Sequence, residues 1–322
     1  MMAANLLLIV GGCGALYFGA EWLVRGAARI AASLGVSPLV VGLTLVSLGT
    51  SAPELVVGAF AALKGETGLL FGNVMGSNLA NIGLILGTVA VIRPLAVADR
   101  MVTRDVPIML LVSLCTFPLL LDRRVDRTEG VILMALLVLY VAFTFYTVED
   151  KEDLPDIADP VAADPERDAA RVRALTANLG RVAVGALGLG FGGKAIVEGA
   201  SYLGSALGVS AEVIGLTVVA VGTSLPELVT SVVAAARQQA DIAVGNIVGS
   251  NVFNLTAVLG VATLVREFPV DPTVLSLQLP AVLAISFLLW PIAWSRRRVS
   301  RAEGVLLLVV YCSCTAWIAL VG

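Results

Sequence analysis

The stretch Gly42-Leu-Thr-Leu-Val-Ser-Leu-Gly-Thr-Ser-Ala-Pro-Glu54-Leu-Val-Val is an apolar run that contains a proline and a glutamate. The same pattern returns, at an offset of 173 residues, as Gly215-Leu-Thr-Val-Val-Ala-Val-Gly-Thr-Ser-Leu-Pro-Glu227-Leu-Val-Thr. Packing of an apolar core does not explain these interruptions, because glutamate is almost never fully buried without a partner. We therefore expect the duplicated motif to carry the function.

The composition indicates an integral membrane protein. Of the 322 residues, 58% are hydrophobic and only 14% are charged, and the mean hydropathy is +0.95. A soluble domain carries about 25% charged residues. The apolar runs continue for roughly 18 to 25 positions, which indicates helices, because strands of a membrane barrel alternate polar and apolar residues.

Charge and reactive side chains argue against several functional classes. The net charge is −3, and no basic tract suggests a nucleic-acid partner. The chain has no histidine, and its four cysteines lie in apolar segments, so neither a disulfide framework nor a cysteine metal cluster is indicated. No Ser-Lys pair, paired catalytic aspartates or His-Glu-x-x-His motif suggests an enzyme. The N-terminus lacks a basic n-region and is interpreted as a spanning helix.

Ten apolar segments are predicted to form transmembrane helices. Their approximate bounds are 4–28, 38–63, 69–92, 105–121, 129–147, 179–205, 211–236, 242–264, 273–294 and 303–320. The chain then divides into a first half of five helices (1–148), an acidic linker (149–178) and a second half of five helices (179–322). We interpret the linker as solvated, with calcium sensing or partner binding as the alternative. It is too short for a folded regulatory domain.

The distribution of Lys and Arg predicts the orientation in the membrane. Fifteen of the 21 basic residues fall on the side of the central linker and five on the other side, while Lys194 lies within a helix. The linker should therefore be cytoplasmic, and both termini should lie outside the inner or plasma membrane.

The repeat extends beyond the opening motif. Gly72-Asn73-Val-Met-Gly76-Ser77-Asn78-Leu-Ala-Asn81 becomes Gly245-Asn246-Ile-Val-Gly249-Ser250-Asn251-Val-Phe-Asn254 at the same offset. Each copy contains five predicted helices, and an odd number means that the second copy enters the membrane from the opposite side. The sequence thus predicts two inverted repeats, with a substrate site near the membrane midplane where they meet.

One charge pattern differs between the repeats. Glu21 and Arg25 align with Lys194 and Glu198, so both are i,i+4 pairs with the signs reversed. We interpret them as local ion pairs near a helix end. The alternative is a contact that distinguishes the outward from the inward state.

The two motifs supply oxygen ligands. Pro53 and Pro226 each leave a carbonyl without its helical N–H partner, which the membrane tolerates only where protein or a watery cavity satisfies it. Hydroxyls flank these breaks, and Glu54 and Glu227 add carboxylates. Hard cations such as Ca²⁺ and Na⁺ prefer oxygen ligands of this kind. The alternative, in which each glutamate is protonated and caps a helix, explains less well why the context recurs. Helix–helix hydrogen bonding is favoured over ligation for Asn73, Asn78, Asn246 and Asn251.

Gly-Thr-Ser-x-Pro-Glu with Gly-Asn-x-x-Gly-Ser-Asn-x-x-Asn, present twice, resembles the α-repeats of the sodium/calcium exchanger family, within the cation/calcium antiporter superfamily. The resemblance is to prokaryotic members and covers essentially the whole chain. It implies a core of predicted helices 2, 3, 7 and 8, across which helices 1 and 6 slide to alternate access.

The resemblance also implies ligands at matching positions. Glu54 and Glu227 would bind Ca²⁺ with the help of Thr50 and Thr223 oxygens. The remaining candidates are four serines for Na⁺, two backbone carbonyls and two amides: Ser51, Ser77, Ser224 and Ser250; Ser47 and Ala220; Asn81 and Asn254.

The amide pair departs from part of the family. Archaeal and potassium-dependent exchangers carry aspartate at the position of Asn254, whereas animal-type exchangers have asparagine. The amide removes one possible negative charge, argues against potassium dependence and leaves the number of ions per cycle open.

We therefore predict a secondary antiporter, not an enzyme, that exchanges Ca²⁺ for Na⁺ through one central site and needs no cofactor. Its partners would be the lipid bilayer and the two ions. Ca²⁺/H⁺ antiport is the alternative, although proton exchangers favour Gly-Asn-x-x-Glu over Gly-Thr-Ser-x-Pro-Glu. A channel is disfavoured because the two halves form a closed oxygen cage and no open pore ring.

Overall fold

The computed structural model describes residues 2–146, 165–207 and 220–321, and these residues are almost entirely helical. The helices are α1 (Met2–Leu34), α2 (Pro38–Thr50), α3 (Ala52–Lys64), α4 (Thr67–Ile92), α5 (Met101–Leu119), α6 (Arg127–Tyr146), α7 (Pro165–Ala206), α8 (Ala220–Thr223), α9 (Leu225–Ala236), α10 (Ala240–Val265), α11 (Val274–Arg296) and α12 (Arg301–Val321). Within the described ranges, eight helices are long and apolar enough to cross a membrane, and the bent pair α2–α3 makes a ninth span. The protein is a multi-span membrane protein.

The predicted segments agree with these helices for nine of the ten. The seventh segment, 211–236, includes residues 211–219, which lie outside the described residues, so the tenth span stays a prediction. The sixth segment begins earlier than expected, because α7 starts at Pro165. A proline at the first position and Glu166 in the first turn are typical of a helix N-terminus. The predicted linker is therefore helical from Pro165 onward.

Two short antiparallel ribbons, which the sequence did not predict, connect helix ends. β1 (Leu95–Ala96) pairs with β4 (Arg298–Val299), and β2 (Arg124–Val125) pairs with β3 (Phe268–Pro269). The offset of 173 carries β1 onto β3, and an offset of 174 carries β2 onto β4. Each ribbon joins one strand from each half of the chain, and the two ribbons are equivalent to each other with the halves exchanged.

Helices α1 and α7 pack closely through glycines. A Cβ atom at Gly12 would lie 2.8 Å from the carbonyl oxygen of Gly192, and one at Gly19 would lie 2.8 Å from that of Gly185. The paired numbers run in opposite directions, so the two helices are antiparallel. The absence of side chains at these positions permits this close approach, and the 173-residue offset maps one glycine pair onto the other.

Two arginines form hydrogen bonds to C-terminal carbonyls of α3 and α9, the helices that follow the two breaks in the motifs. Arg266 Nη1 donates to the carbonyl of Leu63 at 3.4 Å, and Arg93 Nη1 donates to the carbonyl of Ala236 at 3.5 Å. A cation near a helix C-terminus is favourable because the terminal carbonyls carry partial negative charge. These two aligned arginines therefore make equivalent contacts, each to the helix of the other half.

The predicted charge pairs behave differently in the two halves. Glu21 is buried on α1, where its Oε1 atom binds Arg25 at 2.5 Å and also binds Arg237 at the end of α9. Lys194 and Glu198 lie 3.7 Å apart with exposed side chains on α7. The second pair is local, as predicted, whereas the first also ties α1 to another helix.

Candidate functional site

Both copies of the motif form a break between two helices. Ser51 (φ −82°, ψ 3°) separates α2 from α3, which meet at 47°, and Ser224 (φ −90°, ψ 4°) separates α8 from α9. Pro53 and Pro226 lie in the first turn of the following helices. An N–H in the first turn has no carbonyl partner within its own helix, so the N–H that proline lacks costs that helix no hydrogen bond. The glutamates come next, in the same first turn, where the helix dipole favours negative charge.

The structure brings the two glutamates into one buried site. Glu54 and Glu227 are each only 1% exposed. The Oγ atom of Ser51 donates to Oε1 of Glu227 at 3.1 Å, so the first break contacts the carboxylate of the second.

Helices α4 and α10, which carry the Gly-Ser-Asn motifs, complete the site. Thr50 Oγ1 lies 3.5 Å from Ser250 Oγ, and Ser224 Oγ donates to Ser77 Oγ at 3.4 Å. Each break therefore meets the Gly-Ser-Asn helix of the other half. All four hydroxyls belong to the candidates expected from the sequence.

Asn81 and Asn254 are buried in the same two helices, and each begins a π-helical turn. The turns span Asn81–Leu86 and Asn254–Val258. Single π-helical turns are rare and often occur at functional sites. Three further π-helical turns begin at Gly42, Met101 and Val274, so such turns are not confined to the two amides. The sequence did not predict any of them.

Five buried side-chain oxygens of the site have no hydrogen-bond partner within the described part of the chain. They are Oε1 and Oε2 of Glu54, Oε2 of Glu227, and Oδ1 of Asn81 and Asn254. An unsatisfied buried polar atom costs about 1–3 kcal/mol, and more when it is charged. Among the described residues, no three His, Cys, Asp or Glu side chains lie close enough together to hold a metal ion by themselves. The donor set of carboxylate, amide and hydroxyl oxygens fits a hard cation.

The remaining candidate ligands lie at the edges of the breaks. The carbonyl of Ser47 accepts from the N–H of Ser51 at 2.9 Å and from the hydroxyl of Thr50 at 3.3 Å. Ala220 and Thr223 are the first and last residues of α8. The segment before α8 lies outside the described residues, so the second break is described from α8 onward.

The four asparagines that were expected to bond between helices divide into two pairs. Asn78 and Asn251 donate to carbonyls one turn earlier in their own helices, at 2.7 and 3.1 Å. Asn73 donates to the backbone carbonyl of Glu54 at 3.1 Å, and Asn246 also bonds to neighbouring helices. The second pair therefore joins the Gly-Ser-Asn helices to the breaks.

An apolar cavity of about 600 Å³ lies between α7 and the two breaks. Pro53 and Pro226 line one side, and small residues of one α7 face, including Gly190 and Gly193, line the other. Of the described lining residues, Lys194 alone is charged. Helix α7 is thus tightly packed against α1 but separated from part of the breaks by open space.

Comparisons with known proteins agree on one family. A family model described as sodium/calcium exchanger protein matches residues 4–146 and 178–320. The inner membrane protein YrbG of Escherichia coli is 33% identical over 99% of this chain and 98% of its own length. The sodium/calcium exchanger MaX1 of Methanosarcina acetivorans is 32% identical over 97% of both chains. A solved structure of the sodium/calcium exchanger from Methanococcus jannaschii superposes with a TM-score of 0.83 at 30% identity, covering 98% of this chain and 99% of the other.

Proposed function

This chain belongs to the sodium/calcium exchanger family, and we propose that it exchanges Ca²⁺ for Na⁺ at the site between the two breaks. The observation that carries the proposal is a set of five buried oxygens that have no hydrogen-bond partner among the described residues, three of which belong to the two carboxylates and two to Asn81 and Asn254. A bound Ca²⁺ ion would satisfy the three carboxylate oxygens and neutralise both glutamates. The family transports these ions as substrates, so we assign the protein no resident cofactor.

The proposed ligands follow their places in the two breaks. Glu54 and Glu227 bind Ca²⁺ together with oxygens of Thr50 and Thr223. The other proposed ligands bind mainly Na⁺ or complete the shell of oxygen atoms around the ions: Ser51, Ser77, Ser224, Ser250, Asn81, Asn254 and the carbonyls of Ser47 and Ala220. The hydroxyl contacts between breaks and Gly-Ser-Asn helices support this set, because they bring both halves to one place.

Charge neutralisation couples the two ion flows. An empty site would hold two carboxylates in a protein interior at membrane depth, and each charge at a bilayer centre costs about 2.5–3.5 kcal/mol on the insertion scale. Loading with Ca²⁺, or with Na⁺ ions in its place, removes that charge. The loaded protein can therefore change the side to which the site opens, whereas the empty protein resists the change.

We propose that the halves 1–148 and 179–322 are inverted five-helix repeats joined by the cytoplasmic segment 149–178. The antiparallel packing of α1 and α7 supports this arrangement. The two equivalent ribbons, each of which pairs one strand from each half, also support it. Helices α1 and α7 form the sliding unit, since they pack tightly on each other and a cavity lies beside part of the contact between α7 and the breaks. The chain would lie in an inner or plasma membrane with both termini outside.

Ca²⁺/H⁺ antiport is the second candidate. Both carboxylate oxygens of Glu54 lack a partner among the described residues, and a protonated carboxyl is neutral as well. Protons could therefore replace Na⁺ in discharging the site.

Calcium flux in proteoliposomes separates the two candidates. Purified protein would be tested with an imposed Na⁺ gradient and, separately, with an imposed H⁺ gradient. We expect the Na⁺ gradient alone to drive calcium uptake, and we expect Glu54→Gln and Glu227→Gln to abolish it. Calcium uptake driven by the H⁺ gradient alone would show that H⁺, and not Na⁺, is the exchanged ion. Unchanged uptake in both variants would disprove the two-glutamate site.

A further inference from the structure

The equivalent helices α1 and α7 are not equally covered by the rest of the protein. Apolar side chains on the second half of α1 are buried: Leu23, Val24, Ala27 and Ile30. The offset of 173 residues maps them onto side chains of α7 that are only half-buried: Ile196, Val197, Ala200 and Leu203. Helix α1 is therefore closed against its neighbours along this stretch, whereas α7 is less closed along the equivalent stretch.

A buried carboxylate ties the closed stretch of α1 to α9. Oε1 of Glu21 binds Arg25 on the same helix at 2.5 Å and also binds Arg237, which caps the C-terminal end of α9. Glu21 is only 8% exposed. A hydrogen bond between charged groups contributes more when one of them is buried than when both are exposed. The contact with Arg237 therefore stabilises the closed position of α1.

The equivalent positions of the other half carry a different order of charges. The offset of 173 maps Glu21 onto Lys194, Arg25 onto Glu198 and Arg237 onto Lys64. Lys194 and Glu198 pair only with each other, at 3.7 Å and with exposed side chains. Lys64, in the last turn of α3, forms no ion pair within the described part of the chain. The stretch of α7 thus has no counterpart of the contact between Glu21 and Arg237.

A change of access would exchange the surroundings of α1 and α7. In a transporter built from inverted repeats, each half takes the conformation of the other when the site opens to the opposite side. Helix α7 would then lie against α3 as α1 now lies against α9. Lys194 would meet Lys64 where Glu21 now meets Arg237, so two like charges would replace an ion pair. Glu198 would stand one turn farther along α7, at the place of Arg25.

We propose that the ion pair between Glu21 and Arg237 is a lock that holds the protein in the arrangement of this structure, and that the opposite arrangement has no equivalent lock. The two arrangements are therefore unequally populated at the same ion load, in favour of this one. The inference rests on the proposed inverted repeats and goes beyond them, because it assigns the inequality to charged residues outside the cation site. In the proposed orientation Arg237 is cytoplasmic, so the favoured arrangement is closed toward the cytoplasm.

Distances between spin labels measure this equilibrium without transport. Labels at Arg29→Cys and Ala236→Cys report on the locked end, and labels at the equivalent Tyr202→Cys and Leu63→Cys report on the other end. All four sites are exposed, and the four native cysteines are replaced by serine. One label pair is close and the other apart in each arrangement, so the distance distributions give the population ratio. We expect the arrangement with the lock to predominate.

Two kinds of variant should shift the ratio toward the opposite arrangement. Glu21→Gln and Arg237→Gln should each raise its share by about 3- to 10-fold, the effect of losing one hydrogen bond. Lys194→Glu combined with Glu198→Arg copies the charges of α1 onto α7, opposite Lys64, and should raise it by a similar factor. Adding Glu21→Gln to this pair should multiply the two factors, because the lock is then moved from one end to the other.

Asp105→Asn is the matched control. It removes a fully buried carboxylate from its ion pair with Arg104, and both residues lie on α5, so the ratio should stay at the wild-type value. The inference is overturned if Glu21→Gln or Arg237→Gln leaves the ratio unchanged, if the copied charges have no effect, or if the control shifts the ratio equally. Calcium uptake by the wild type tests the proposed function separately, since the label distances require no flux.

Discussion

The two breaks share a backbone geometry but hold their carboxylates differently. Ser51 and Ser224 have nearly the same dihedral angles, and a proline and a glutamate follow each break. Ser51 donates to Glu227, whereas Ser224 donates to Ser77, and both oxygens of Glu54 have no partner among the described residues. Both copies of the motif therefore keep the same backbone geometry. Their side chains differ, because Glu227 is held by a hydrogen bond from Ser51 whereas the Glu54 carboxylate is available to a ligand.

Removing each carboxylate in turn should have the largest effect on transport. Glu54→Gln and Glu227→Gln should each reduce calcium uptake to the level of protein-free liposomes, because one carboxylate cannot neutralise a divalent ion. Initial ⁴⁵Ca uptake under a Na⁺ gradient is the measurement. If one of the two variants kept wild-type uptake, the two breaks would not act as one site.

The serine anchors should have unequal effects. Ser51→Ala removes a hydrogen bond to a carboxylate, and such bonds contribute about 1.5–3 kcal/mol. We expect an increase of about 10-fold in the half-saturating Ca²⁺ concentration. Ser224→Ala, the matched control, breaks a longer bond between two hydroxyls and should have a smaller effect on Ca²⁺. The reverse order would show that Ser51 does not anchor Glu227.

Packing also differs between equivalent positions of the two halves. Gly58→Ala would bring a Cβ atom into Val258 and should lower the free energy of unfolding by about 1–3 kcal/mol, the usual cost of overpacking. Ala at the equivalent position 231 replaces an existing side chain and should destabilise less. Thermal unfolding of the purified variants in detergent tests this, and equal stability of both would contradict the packing difference.

The smallest expected effects concern the charge pairs. Glu21→Gln removes a buried carboxylate from Arg237, whose side chain is 42% exposed, and should lower the free energy of unfolding by about 1–2 kcal/mol. Lys194→Ala affects an exposed pair and should change stability by less than about 1 kcal/mol. Denaturation curves of the two variants and the wild type measure these losses in the free energy of unfolding. Equal losses would show that the contact between α1 and Arg237 adds no stability.

The sequence predicted the features that depend on local chemistry. The apolar runs, the helix breaks at the prolines and the burial of Glu54 and Glu227 follow from residue type and period. The start of α7 at Pro165 was missed because charged residues 166–173 resemble a linker, although the proline and Glu166 are helix-start signals.

Other features had no local signal. A π-helical turn leaves the apolar character of a helix unchanged, so the turns at Asn81 and Asn254 could not be seen in the sequence. The ion pair between Glu21 and Arg237 and the bond between Asn246 and Ser231 join residues far apart along the chain or on different helices. Such contacts depend on how the helices pack, and a single sequence does not reveal them.

Calcium binding to the purified protein tests the central claim most directly. Calorimetric titration of wild type without Na⁺ should show one Ca²⁺ per chain, with affinity that falls as Na⁺ is added, because both ions use one oxygen cage. The double variant Glu54→Gln/Glu227→Gln should show no binding. Calcium binding that persists in the double variant, or that Na⁺ does not weaken, would contradict the account.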